Sequence, residues 1–106
     1  MKVIAVTACP SGVAHTYMAA EAIEMAAKEA GFEIKVETQG SIGIENALTK
    51  EDVSSADYVV LTKDMQIKNE TRFKGKTVVR VSVGDAIKKS NALMKKLQQH
   101  YDSKNK

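Results

Sequence analysis

Most of the side chains able to do covalent chemistry near one point lie in the stretch Cys9-Pro10-Ser11-Gly12-Val13-Ala14-His15-Thr16. Cys9 is the nucleophile of the group. Residues 2–7 before it are apolar and β-branched, the signature of a buried strand. Residues 16–30 after it are rich in Ala, Glu, Met and Lys, which favour helix. A loop that runs from a strand into a helix presents backbone N–H groups with no partner inside the helix. Those donors and the helix dipole favour an anion at that point, and a thiolate over a thiol. Gly12 permits close approach of the backbone, and Ser11, His15 and Thr16 add side-chain donors. Pro10, Ser11, Gly12, Val13, Ala14, His15 and Thr16 therefore read as a phosphoryl-binding loop around Cys9. Phosphoryl transfer asks mainly for positioning and charge balance, which such a loop supplies.

Other readings of the same residues need weighing. A single cysteine after a strand is more often an inert small hydrophobe of the core, but Pro10, Gly12 and Thr16 at loop spacing argue against that here. The spacing Cys-x5-His-Thr resembles the Cys-x5-Arg-Ser/Thr loop of cysteine-dependent phosphatases. Those enzymes clamp the equatorial oxygens with a bidentate Arg, and His15 offers no such fork. Hydrolysis also needs an acid for the leaving group and a base for water. Asp64 is the one candidate acid near a strand end, and no Asp-Pro pair exists. The residues thus describe a phosphoryl carrier better than a phosphatase of the low-molecular-weight type. A non-catalytic module that binds an anion without a covalent adduct is the third class. His15 either donates to the anion or only caps and packs. Cys9, His15 and the distant His100 do not make a metal-ligand set, and no cofactor is expected.

The elements that must position this loop alternate strand and helix. On the helix of residues 16–30, Ala19, Ile23, Ala26, Ala27 and Ala30 line one face, and Gly31 fits its C-terminal cap. Residues 32–38 alternate, with Phe32, Ile34 and Val36 on one side. Residues 39–43 read as a loop. Thr49 with Asp52 forms a capping box for a short helix ending near Ala56. Residues 58–61 are a second continuous apolar strand, and 63–75 a polar loop with a short helix. Residues 77–83 alternate again, and Asp85 caps a last helix reaching Tyr101. The pattern predicts a three-layer α/β/α domain with a four-stranded parallel sheet of order 2-1-3-4 over residues 1–101, then a polar tail, 102–106. The two apolar strands are central and the alternating strands lie at the edges. Ligands bind such sheets where the strand order reverses, beyond the carboxyl ends of the strands, and Cys9 lies there. The rim around it is then built from residues 10–15, 39–43, 63–72 and 83–85. Lys63, Lys68 and Arg72 give one of these loops positive charge that would steer an acidic partner surface.

Bulk properties narrow the class. The chain has 106 residues, one cysteine, 43% hydrophobic and 27% charged residues and a formal net charge of +3. This is the composition of one ordinary globular domain, with no internal disulfide possible. The basic residues are spread along the chain without an aromatic-basic module, which argues against nucleic acid. No apolar run approaches membrane length. Residues 2–8 imitate a signal peptide, and Val6-Thr7-Ala8-Cys9 a lipoprotein cleavage box, but the apolar stretch is too short for a secretory core. A reducing, cytoplasmic compartment is the expectation.

Three blocks of sequence, in order, carry a family resemblance. The first is residues 7–21, Thr7-Ala8-Cys9-Pro10-Ser11-Gly12-Val13-Ala14-His15-Thr16-Tyr17-Met18-Ala19-Ala20-Glu21. The second is Val36-Glu37-Thr38-Gln39-Gly40-Ser41, followed by Gly43, Asn46 and Leu48-Thr49. The third is Ala56-Asp57, Asp64, Arg72-Phe73 and Gly75-Lys76. Together they resemble the fructose-specific enzyme IIB domains of the bacterial phosphoenolpyruvate-dependent sugar phosphotransferase system, from Lys2 to about Leu97. The resemblance implies that Cys9 accepts phosphoryl from a phosphohistidine on a IIA domain and hands it to fructose, or a related hexose, bound in a membrane IIC domain. Ser11 stands where many members carry Thr, which keeps a hydroxyl. The match around Asp64 is looser. No IIA or IIC part lies in this sequence, so it is a separate subunit or a piece of a longer chain. Its expected place is the inner face of the cell membrane, held by IIC and not itself spanning.

Overall fold

The computed structural model describes residues 1–10, 13–40 and 43–104. Among them, five strands and four α-helices follow in the order β1 (Lys2–Thr7), α1 (Val13–Glu29), β2 (Glu33–Gly40), β3 (Gly43–Glu45), α2 (Lys50–Ser55), β4 (Tyr58–Thr62), β5 (Val78–Val81), α3 (Val83–Lys88) and α4 (Ser90–Lys104). A 3-10 turn, Glu70–Phe73, precedes β5. The sheet order is β3-β2-β1-β4-β5. β1 pairs in parallel with β2 and with β4, and β4 with β5. The order therefore reverses between β1 and β4, beside Cys9.

The two-residue period of the central strands sorts their side chains between two cores. Val3 and Ala5 of β1, with Tyr58 and Val60 of β4, pack under α1, α3 and α4 against Ile23, Ala27, Met94 and Leu97. Ile4, Val6, Val59 and Leu61 face the other way, onto Leu48, Val53, Ile67 and Phe73 around α2 and the 3-10 turn. Phe32, Ile34 and Val36 share the first core, as their alternation predicts. The alanines of α1 let the helix lie close to the sheet. Gly31 (φ 82°) ends it, with Phe32 N–H donating to the Ala27 carbonyl and Gly31 N–H to that of Lys28. This is the glycine-terminated helix end expected from the sequence. The Thr49–Asp52 capping box at α2 is present in both directions.

Three expectations need correction. The sheet is not a four-stranded parallel one. It has a fifth strand, β3, antiparallel to β2 with Thr38 opposite Glu45 and Gly40 opposite Gly43, so residues 39–43 are not simply a loop and β2 is not an edge. Three residues are too few to show alternation. They are held in place because the backbone of β2 gains a partner along its open side and because Asn46 Nδ2 donates to the Val36 carbonyl at 2.9 Å. The final helix is two. Ser90 Oγ donates to the Ala86 carbonyl, a back-bond that competes with helix continuation, and α4 starts afresh and runs to Lys104. The cap of α3 is Ser82 rather than Asp85, with Ser82 Oγ accepting from Asp85 N–H at 3.0 Å. Val83 accordingly opens a helix instead of closing a strand.

Candidate functional site

Cys9 lies two residues beyond the end of β1 and just before α1. It is half-buried. Two buried threonines fix the backbone leading to it. Thr7 Oγ1 donates to the Thr16 carbonyl at 3.1 Å, tying the strand end to the first turns of α1. Thr62 Oγ1, at the end of β4, accepts from Ala8 N–H at 3.0 Å and donates to the Ala8 carbonyl at 3.2 Å. One hydroxyl thus satisfies both polar groups of the residue before Cys9, inside a region where an unpaired one would cost about 1–3 kcal/mol.

Beyond Cys9 opens a shallow cavity of about 290 Å³, whose walls include Pro10, Gln39, Ile44, Met65 and Lys68. The β2–β3 hairpin and the segment after β4 therefore meet over the cysteine. A larger concavity of about 460 Å³ between α1 and α4 does not include Cys9. Among the described residues no group of three His, Cys, Asp or Glu side chains could hold a metal ion.

The second wall is organised by a carboxylate that the sequence reading did not single out as functional. Glu37 is fully buried. Its two oxygens accept from Arg72 Nη1 at 2.8 Å and Nη2 at 2.6 Å, from Leu48 N–H at 2.9 Å and from Gln39 Nε2 at 2.8 Å. Burial pushes the Glu37 carboxyl up. The bonds from Arg72, Gln39 and the Leu48 N–H, with the Arg72 charge, outweigh it and hold the group below its ordinary value. Gln39 in turn grips the backbone of Lys68: its Oε1 accepts from Lys68 N–H at 2.8 Å and its Nε2 donates to the Lys68 carbonyl at 3.1 Å. The second and third blocks of the family resemblance, far apart in sequence, meet in this network. The signal for it was present as Glu37, Gln39 and Arg72 within those blocks, but nothing local joins them.

The candidate residues fall into distinct places. Cys9 and Pro10 line the cavity. Ala14 and His15 are exposed on the first turn of α1. Thr16 is buried, 2% exposed, on the inner side of that turn. Ser11 and Gly12 lie outside the described residues, as does the side chain of Val13. Lys63 is exposed at the end of β4, and Lys68 lines the cavity with Cys9. Arg72 is not part of the open rim, since its guanidinium is committed to Glu37. Asp64 Oδ1 accepts from Val83 N–H at 2.8 Å, which engages that carboxylate at the start of α3. His100 is far from Cys9, with Nδ1 bonded to the Tyr58 hydroxyl at 2.5 Å. Tyr17 Oη donates to Glu45 at 2.6 Å, strapping α1 to β3 beside Ile44.

A half-buried cysteine at the strand-order switch of an open α/β sheet, with a cavity above it, defines a strand-end ligand site of the kind this architecture supports. Residues 4–96 match the family model described as "PTS system, Lactose/Cellobiose specific IIB subunit", and the chain belongs to that IIB family. It is 69% identical over 99 residues to "PTS system fructose-like EIIB component 2" of Escherichia coli strain K12, covering 93% of each chain. It is 48% identical over 95 residues to "PTS system fructose-specific EIIABC component" of Bacillus subtilis strain 168, covering 90% of this chain and 15% of that one. Its fold superposes on the solution structure of the "Enzyme IIB subunit of PTS system from Escherichia coli K12" with a TM-score of 0.93 at 40% identity, over 99% and 97% of the two chains. No described helix is long and apolar enough to cross a membrane.

Proposed function

We propose that this chain is the phosphocysteine carrier of a sugar phosphotransferase system. The observation that carries the reading is the position of Cys9: half-exposed, at the end of the central strand, before a helix N-terminus and under a small cavity. In the first step the Cys9 sulfur attacks phosphorus on a phosphohistidine of a IIA partner. The S–P bond forms as the N–P bond breaks, and the imidazole nitrogen keeps the electron pair and gains the proton lost by the thiol. In the second step a sugar hydroxyl attacks the same phosphorus, the S–P bond breaks to restore the thiolate, and the hydroxyl proton is released. The acceptor is fructose or a related hexose held by a membrane IIC partner. A relative whose name joins A, B and C components in one chain supports these partners.

The backbone of residues 10–16 holds the phosphoryl oxygens in this reading, helped by Ser11, His15 and Thr16. The domain extends to the end of α4 at Lys104, past the tail start at 102 that the sequence predicts, and works in the cytoplasm at the inner face of the membrane. The engagement of Asp64 with Val83 N–H counts against a phosphatase, because it gives the one candidate acid a structural role at the start of α3. The test is to supply phosphoenolpyruvate with the upstream transfer proteins and IIA. One phosphoryl group per chain is expected on Cys9, and none on Cys9→Ser. Label on His15 or His100 in the parent chain would refute the assignment.

A further inference from the structure

We infer that Lys68 is the counter-charge of the phosphoryl group on Cys9, and that Gln39 is the positioning residue that sets it there. The inference rests on the carrier reading above and adds a residue outside the loop of residues 10–16. Lys68 shares the walls of the small cavity with Cys9. Its backbone is gripped at both polar groups by one side chain, that of Gln39. Gln39 is buried and anchored on Glu37, whose charge is already balanced by Arg72. The buried ion pair therefore consumes its own charges and leaves that of Lys68 uncommitted. The ammonium of Lys68 forms no salt bridge with a described residue.

This arrangement differs from that of an ordinary solvated lysine. Ordering a backbone segment costs entropy, and two hydrogen bonds from a buried amide hold this one where a doubly charged group would form. The empty sulfur carries at most one charge, as the thiolate, and a phosphoryl group on sulfur carries nearly two. A cation near the sulfur thus stabilises the loaded form more than the empty one. A steering lysine would affect only the encounter with a partner, whereas a counter-charge acts on the isolated, loaded protein.

The test follows from that difference. Cys9 is phosphorylated by the IIA donor, the protein is separated from its partners, and the phosphorus resonance is titrated with pH. Ordinary phosphoryl groups lose their second proton near pH 6. Lys68 favours the dianion, so Lys68→Met is expected to raise that midpoint by roughly one pH unit, about tenfold in the ionisation constant. Lys68→Arg is expected to restore it. Gln39→Leu is expected to move it part of the way with Lys68 intact. An unchanged midpoint in Lys68→Met, with Cys9 still loaded, overturns the role of Lys68 and leaves the carrier reading standing. An unchanged midpoint in Gln39→Leu overturns the positioning role. No phosphoryl group on Cys9 in the parent protein overturns both the inference and the reading beneath it.

Discussion

The two backbone segments that flank Cys9 are held by different chemistry. On one side, Thr62 satisfies both polar groups of Ala8 with a neutral hydroxyl. On the other, Gln39 does the same for Lys68, but Gln39 is itself seated on a buried glutamate and an arginine. A neutral clamp needs only a hydroxyl of the right reach. A charged one pays desolvation for the carboxylate and recovers it through four hydrogen bonds and the opposite charge. The neutral clamp joins adjacent strands of the sheet, whose spacing the ladder already sets. The charged network spans β2, the approach to α2 and the 3-10 turn, which no ladder connects. Long, directional side chains hold together what the sheet alone does not.

The largest expected effect follows from breaking the charged clamp on one side only. Glu37→Ala leaves a half-shielded arginine and an unsatisfied Leu48 N–H, and is expected to lower unfolding free energy by about 3–5 kcal/mol in urea denaturation. The paired replacement Glu37→Met with Arg72→Met is expected to cost much less than the sum of the single changes. Additive losses would mean that the pair does not act as a unit.

Thr62→Val keeps the shape and removes both bonds to Ala8. Its expected cost is about 1–3 kcal/mol, clearly less than that of Glu37→Ala. A loss as large as that of Glu37→Ala would erase the proposed difference between the clamps. Phosphoryl uptake by this variant is expected to slow, because Ala8 sets the direction in which Cys9 leaves the strand.

The charged clamp also carries a pH signature that the neutral one lacks. The carboxyl of Glu37 lies below its ordinary value of 4.5 in the folded chain. The stability it contributes is present above that value and is lost as pH falls through the folded value. Asp52, held low by Lys35 and by Thr49 N–H, adds in the same direction from its ordinary value of 3.8. Thermal unfolding should therefore show falling stability below about pH 4, and Glu37→Gln should flatten that slope while Thr62→Val leaves it unchanged. The smallest effect concerns the rim. Neutralising Lys63 and Lys68 together is expected to lower the rate of transfer from IIA by several-fold at low salt and little at high salt. Adding Arg72→Gln is expected to destabilise the protein rather than extend that salt effect.

What the sequence made legible follows the range of the interactions. Continuous apolar runs at residues 2–7 and 58–61 and the alternation of Phe32, Ile34 and Val36 are local signals, and they located the central strands and the place of Cys9. Gly31 and the Thr49–Asp52 box are equally local. β3 escaped because a three-residue strand has no period, and the break at Ser90 because one serine hydroxyl decides it. Arg72 looked like a rim charge because its partner, Glu37, lies 35 positions away, in β2. Glu37 falls on the polar phase of its strand with Glu33 and Lys35, so the alternation gave no sign that its charge is buried and kept only with a partner. Thr7 read as an ordinary strand residue and Thr62 fell between the strand of 58–61 and the loop of 63–75, because nothing in a threonine tells that its hydroxyl faces a neighbouring carbonyl.

The central claim is that Cys9 carries a phosphoryl group onward instead of releasing it to water. The direct measurement loads the chain from IIA with labelled phosphoryl, maps the label, and chases it with and without membranes containing IIC and hexose. The account predicts label on Cys9 that persists in buffer and moves rapidly to the sugar when IIC is present. Rapid loss to inorganic phosphate in buffer alone, or label on a residue other than Cys9, would contradict it.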